Sequence, residues 1–342
     1  MRENVKYYQE DNYAQLVRTV DLKKDFTNND FVYVDELAYD FLWRVQLKEP
    51  NIVLPNIGAN IGEKYYVSPE DLPKEKNVLG PNAILLRSKC NDTHFVYFRL
   101  STSSYDNEMK KLVGASGQPK FNKTDLKKVR LFMPSLKEQK KISHFLGLLE
   151  ERIATQNKNI EKLQSLIKGI SKQLLMNNQN WRTVRIGELL RIGNGKDYKH
   201  LGIGKIPVYG TGGQMLLVND YLYDGESVCI GRKGTIDTPM FLKGKFWTVD
   251  TLFYTYDFKD VLPKFCYYLF LQINWKLYNE GTGVPSLSKS TIENIKVKIP
   301  SIKQQHNICS VLDCYEHKTK SEEQILELYL SEKQYLLRQM FI

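Results

Sequence analysis

Cysteine is scarce and scattered in this 342-residue chain. Cys90, Cys229, Cys266, Cys309 and Cys314 are odd in number and include no Cys-x-x-Cys pair, which excludes a secreted disulfide framework and a zinc ribbon built on paired thiols. No apolar run approaches the ~18 residues of a membrane span, and the opening Met-Arg-Glu-Asn-Val-Lys-Tyr-Tyr lacks the apolar stretch of a signal peptide. The expectation is a cytoplasmic chain with no membrane partner. Catalytic motifs are missing too. Gly193-x-Gly195-Lys196 has neither the spacing nor the hydroxyl of a nucleotide phosphate loop. Glu108-x-Lys110 resembles the tail of a nuclease motif, but no matching Pro-Asp precedes it on a strand. His306, Cys309, Cys314 and His317 invite a zinc reading, yet they fall in an expected helix. There the first and last would stand ~16 Å apart and could not converge on one ion.

What is present is a globular composition, 42% hydrophobic and 26% charged, with 49 Lys and Arg against 39 Asp and Glu. Length alone points to two domains. The formal charge of +10 is spread along the chain, which suits a polyanionic partner and suits an ordinary basic protein equally well.

The chain also repeats itself. The segment from Gly117 to Leu146 returns as Gly283 to Leu312 at a constant offset of 166, pairing Pro119 with Pro285, Lys123 with Lys289, and Leu126 and Val129 with Ile292 and Ile295. Its best stretch is Pro134-Ser135-Leu136-Lys137-Glu138-Gln139, which recurs as Pro300-Ser301-Ile302-Lys303-Gln304-Gln305. A weaker echo at offset 176 sets Ile52–Gly58 beside Val228–Gly234, a strand entering a glycine turn. The plan is therefore globular segment, helix, globular segment, helix, and the globular segments are called readers below.

After each Pro-Ser the apolar spacing alternates steps of four and three, the seam of a coiled coil. In the first helix the seam runs Ile142, Leu146, Leu149, Ile153, Gln156, Ile160, Leu163, Ile167, Ile170 and Leu174. A helix from Leu136 to Met176 would span about 60 Å. The second seam, Ile308, Leu312, Tyr315, Thr319, Glu322, Leu326, Tyr329, Lys333, Leu336 and Met340, is more polar and calls for the first as its antiparallel partner. Gln156 and Glu322 occupy equivalent seam positions.

The remaining segments read as short strands and turns. Phe31–Val34, Ala83–Arg87, Phe95–Phe98 and Leu252–Tyr256 are aromatic or β-branched and predict strands, whereas Pro263–Tyr278 predicts a helix. The expected fold class is α+β. Two β-rich α+β domains, 1–133 and 179–299, are separated by long helices at 134–178 and 300–342 that pair as an antiparallel coiled coil, with an internal pseudo-two-fold duplication.

The pattern Gly-x-Pro, a short helix, then an aliphatic residue followed by x-x-Pro-Ser-x-x-x-Gln-x-x-Ile entering a long helix, present twice across essentially the whole chain, resembles type I restriction-modification specificity subunits. Gly117-Gln118-Pro119 and Gly283-Val284-Pro285 resemble the end of a target recognition domain, and Leu190–Lys199 resembles the opening of one. The resemblance implies that each domain reads half of a bipartite site in double-stranded DNA while the paired helices set the gap. It further implies two methyltransferase (M) subunits carrying S-adenosylmethionine, with restriction (R) subunits joining them. No cofactor and no metal are expected on this chain, and it is expected to be non-catalytic: it carries neither the Asn/Asp-Pro-Pro-Tyr/Phe tetrapeptide of an adenine methyltransferase nor a methyl-donor loop. In one respect it departs from the pattern: Trp181 to Lys205 have little counterpart ahead of Tyr13, so the first reader is expected to be shortened.

Phosphate contacts come from Lys, Arg, backbone amides and small polar groups, and base contacts from side chains that reach the grooves. Loops rich in such residues are the DNA-binding candidates. In the second reader they are Lys196, Tyr198, Lys199 and His200; Tyr209, Thr211 and Gln214 around Gly212 and Gly213; and Arg232, Lys233 and Thr235. In the first they are Arg18, Asn56, Asn60, Lys64, Tyr65, Gln118 and Lys120. The competing view of each is a solvated turn. A competing view of the whole is a non-catalytic coiled-coil scaffold whose β-rich domains bind protein, and it predicts no salt-dependent DNA binding. A fragment of a fused restriction-methylation protein would require the motifs that are missing.

Overall fold

The computed structural model describes residues 5–58, 60–112, 120–176 and 180–341. The chain forms two compact units, Met1–Asn157 with Ile325–Ile342, and Lys158–Gln324, so each long helix is shared between them.

In chain order the first unit holds β1 (Ala14–Val17), α1 (Thr19–Lys23), β2 (Val32–Val34), α2 (Glu36–Phe41), β3 (Asn51–Pro55), β4 (Tyr65–Val67), β5 (Asn77–Leu79), β6 (Ala83–Leu86), α3 (Thr93–Leu100), α4 (Ser103–Leu112) and α5 (Lys123–Leu126). The first half of α6 (Leu136–Met176) follows. Its sheets are ordered β2-β1-β5 and β4-β3-β6. The second unit holds β7 (Arg182–Arg185), α7 (Ile186–Leu189), β8 (Arg191–Asn194), β9 (Ile203–Gly210), β10 (Gly213–Val218), β11 (Tyr223–Gly231), β12 (Met240–Thr248), β13 (Leu252–Tyr256), α8 (Pro263–Gln272), α9 (Lys289–Asn294) and β14 (Lys296–Ile299), then enters α10 (Ile302–Met340). Its main sheet runs β10-β9-β12-β11-β13-β8, with β14-β7 apart.

One expectation is overturned. Phe95–Phe98 is not a strand but the middle of α3. Asp92 caps that helix, its side chain accepting from the Phe95 amide at 2.8 Å. Both helix faces are buried: Phe95 and Phe98 lie against Leu146 of α6, while Val96 and Leu100 face the sheet core. A short helix sandwiched in this way shows unbroken apolar character, which reads as a strand. The partner of α3 is α8, where Phe265-Cys266-Tyr267-Tyr268 matches Phe95-Val96-Tyr97-Phe98 at offset 170. The helix expected over Pro263–Tyr278 breaks into α8 and a 3-10 turn at Trp275–Tyr278.

Both long helices follow their expected seams. From Ile142 to Leu174 every seam residue is buried or half-buried among exposed neighbours, and the second seam behaves likewise up to Leu336. At its end Phe341 is buried where Met340 was expected. Within the first unit α6 and α10 run antiparallel: Leu146 shares a core with Leu337 and Phe341, and one turn along α6 Glu150 meets Lys333 at 2.5 Å, one turn back along α10. In the second unit Ile308 and Leu312 share a core with Ile170 and Leu175.

The repeat is a repeat of hydrogen bonds. Gln139 and Gln305, 2% and 0% exposed, each lock a long helix to a reader. The Gln139 amide oxygen accepts from Asp92 N at 2.9 Å, and its nitrogen donates to Asn91 Oδ1 and Pro134 O at 2.8 and 2.9 Å. Gln305 accepts from Leu262 N at 2.8 Å and donates to Asp260 O and Pro300 O at 2.9 and 3.0 Å. Asp92 and Leu262 are the N-caps of α3 and α8. Two residues past each of these N-caps a basic side chain meets an equivalent glutamate of the long helix, His94 with Glu150 at 3.4 Å and Lys264 with Glu316 at 2.8 Å.

The two units pack differently at the approach to the long helices. Ile292, Ile295, Val297 and Ile299 are buried with β7 and α7, whereas their equivalents Leu126, Val129, Leu131 and Met133 are only half-buried. No described segment of the first unit takes the place of β7.

Replacing Gln305 with Leu keeps the bulk but orphans one buried amide and two carbonyls. The expected cost is about 3 kcal/mol, read as a lower urea midpoint of the full chain by tryptophan fluorescence, with Gln139→Leu acting in the same direction. An unchanged midpoint for both would show these bonds to be dispensable.

Candidate nucleic-acid interface

In the second unit the three candidate loops gather on residues 247–252, the turn that joins β12 to β13 together with the strand ends flanking it. Gly195 N donates to Leu252 O at 3.1 Å and Lys196 N to Thr248 O at 2.9 Å. The Trp247 indole returns a bond to Lys196 O at 2.8 Å, and its ring packs edge-on against His200, centroids 5.7 Å apart. Val249 N donates to Tyr209 O at 3.0 Å and Arg232 N to Thr251 O at 2.8 Å. Gly195 permits this convergence, because a Cβ there would stand 1.8 Å from Val249 O. The Thr248 hydroxyl beneath the loops is buried and has no hydrogen-bond partner among the described residues.

On this platform Lys196, Lys199, His200, Gln214, Arg232, Lys233 and Thr235 are exposed, and Tyr198, Tyr209 and Thr211 half-buried. Among the described residues, Lys196, Lys199, Arg232 and Lys233 form no ion pair. Arg232 instead lies over the Phe253 ring, 5.9 Å from its centroid. Loops held by backbone bonds thus present cations whose charge no neighbouring carboxylate neutralises.

The first unit treats its candidates differently. Arg18 binds Asp21 at 2.7 Å and Asp30 at 3.4 Å and caps α1; hydrogen bonding to Asp21 holds its guanidinium above the usual range. Lys64 pairs with Asp106 at 2.5 Å. Asn60 accepts from Lys23, which also pairs with Glu63 at 2.6 Å. Tyr65 donates to Glu63, and burial followed by that bond pushes its hydroxyl pKa up. Asn56 and Lys120 do come together at the end of β3, where Asn56 Nδ2 donates to Phe121 O at 3.2 Å and Lys120 faces Ile57. Gln118 lies outside the described residues. The charge balance agrees with this contrast: residues 179–299 hold 16 Lys and Arg against 11 Asp and Glu, whereas residues 1–133 hold 20 against 18.

Sequence reasoning missed the turn 247–252 altogether. Trp247-Thr248-Val249-Asp250-Thr251-Leu252 carries no charge pattern or motif, and its role comes from strands distant in sequence. It also could not see which lysines are neutralised. The His306–His317 residues are strung along α10, and no group of His, Cys, Asp or Glu among the described residues could hold a metal ion. Glu108 and Lys111 pair on α4, at 2.7 Å. Among the described residues no helix is long and apolar enough to cross a membrane.

A duplicated chain of two α+β readers, each tied to half of an antiparallel helix pair, defines an architecture that can be compared as a whole. The family model for the type I restriction modification DNA specificity domain matches residues 7–165 and again residues 178–328, so the chain belongs to that family. It is 25% identical to the putative type I restriction enzyme MjaX specificity subunit of Methanocaldococcus jannaschii over 86% of this chain and 79% of that protein. To the MjaVIII specificity subunit of the same organism it is 23% identical, over 82% and 76%. The fold is that of the type I restriction-modification S subunit from M. genitalium, with a TM-score of 0.61 at 18% identity over 86% of this chain and 83% of that one. A chain from a study of complex assembly and conformational transition in the type I R-M system gives 0.59 at 12% identity, covering 99% and 92%.

Gly195→Ala should displace the 196–200 loop and lower stability by about 2 kcal/mol, with altered Trp247 emission because the indole bond to Lys196 O is lost. Unchanged emission and midpoint would contradict the close packing of this loop.

Proposed function

We propose that the chain is the DNA-reading subunit of a type I restriction-modification assembly, each reader taking one half of a split site. The observation that carries this reading is the loop platform of the second unit, where unneutralised cations, half-buried tyrosines and small polar groups share one face without a catalytic cluster. Such a mixture suits a duplex, since ammonium and guanidinium groups bind phosphates while tyrosine, glutamine and threonine reach base edges. Family membership supports the same reading.

The helices act as a ruler. A 41-residue helix is about 60 Å long, close to two turns of duplex at roughly 34 Å each. Its outer faces, with Phe145, Leu148 and Leu166 on α6 exposed, offer apolar ground on which two methyltransferase subunits dock. Those subunits carry S-adenosylmethionine and the methyl transfer, restriction subunits complete the assembly, and this chain contributes recognition alone.

The test is to purify the full chain with its methyltransferase subunits and exchange residues 180–299 for those of a relative. The methylated sequence should change in one half and persist in the other. Methylation of the original sequence after the exchange would refute the reading.

A further inference from the structure

The two readers differ in sheet order and length, yet one turn is the same in both. β3 ends at Pro55 and β11 at Gly231. The next residues, Asn56 and Arg232, each donate their amide to the residue just before the neighbouring strand, Asn82 O at 3.2 Å and Thr251 O at 2.8 Å. Their carbonyls accept from Phe121 N at 3.2 Å and Leu287 N at 2.9 Å, residues 166 apart. One step on, Ile57 and Lys233 form isolated antiparallel bridges with Lys120 and Ser286. Gly58 and Gly234 follow, both at φ +91°, a backbone that favours glycine.

Each bridge therefore sets one lysine opposite one uncharged residue, with the sides reversed. In the first unit the lysine is Lys120 and the neutral partner Ile57; in the second the lysine is Lys233 and the partner Ser286. Both lysines are exposed, and neither forms an ion pair among the described residues. Of the first unit's DNA-binding candidates, Arg18 and Lys64 are neutralised by ion pairs and Lys120 is not. Residues facing each other across an antiparallel pair hold their Cβ atoms about 5 Å apart, a gap that a four-carbon ammonium stem spans easily from either side.

The geometry points to this bridge as the phosphate-gripping position of each reader, supplied with one ammonium from whichever strand carries it, Lys120 in the first and Lys233 in the second. The inference rests on the DNA-reading function. It explains why sequence comparison at offset 176 sets a lysine against an isoleucine: the charge moved across the bridge and stayed in place. A lysine used in this way adds affinity and register, not sequence preference.

Salt titration of full-chain binding to a random-sequence duplex tests it, because each phosphate contact contributes about 0.9 to the slope of log K against log salt. Lys120→Ala and Lys233→Ala should each flatten the slope by about one. The transposed variants, Ile57→Lys with Lys120→Ser and Ser286→Lys with Lys233→Ser, should restore it, a result that mere loss of folding cannot mimic. A duplex-binding chain whose slope ignores both alanine variants, or is not restored by transposition, would overturn the inference and leave DNA reading intact. A natural chain that binds no duplex at any salt would bring down DNA reading and this inference with it.

Discussion

A buried glutamine is what joins each long helix to its α+β domain. Gln139 and Gln305 sit on long helices, but their amides bind the backbone at the N-caps of α3 and α8. Backbone groups at a helix start have no partner within the helix. In a buried junction a water-free unpaired amide is costly, so α3 and α8 can start only where the glutamine waits. Everything further out inherits its orientation from that lock: the core on which Phe95 or Phe265 rests, the strands above it, and the loops at their ends. Because a similar lock is made twice, each domain meets its own stretch of long helix at an equivalent glutamine despite their different sheets.

Above the locks the readers have diverged in how they handle charge. The second presents lysines and an arginine on loops tied down by backbone bonds to the turn at 247–252. In the first, Arg18, Lys23 and Lys64 are drawn into ion pairs, which on an exposed surface add little stability but cancel the field a polyanion would feel. The shared bridge at Lys120 and Lys233 stands out against that divergence. For a phosphate backbone, uniform charge in a fixed place is the common requirement, and base edges are the variable one.

Much of the architecture was legible. Pro134–Gln139 and Pro300–Gln305 revealed the duplication, and steps of four and three revealed both seams, since a helix stripe is a local property of spacing. Phe95–Phe98 was not legible as a helix, because both its faces are buried and its periodicity is erased; only its likeness to Phe265–Tyr268 betrays it. Within the candidate interface, Arg232 and Lys233 were readable as a basic pair beside glycines. That Lys64 is neutralised was not, as Asp106 reaches it through tertiary folding, whereas the Arg18 pair with Asp21 is three residues apart and local. Trp247, the anchor of the Lys196 loop, likewise carries no local signal of its role.

The proposed function requires two separate grips on one duplex, one from each domain. Hydroxyl-radical footprinting of a DNA site bound by the full chain tests that most directly. The account predicts two protected blocks with an open stretch between them. A single continuous block, or protection indifferent to position along the duplex, would contradict it.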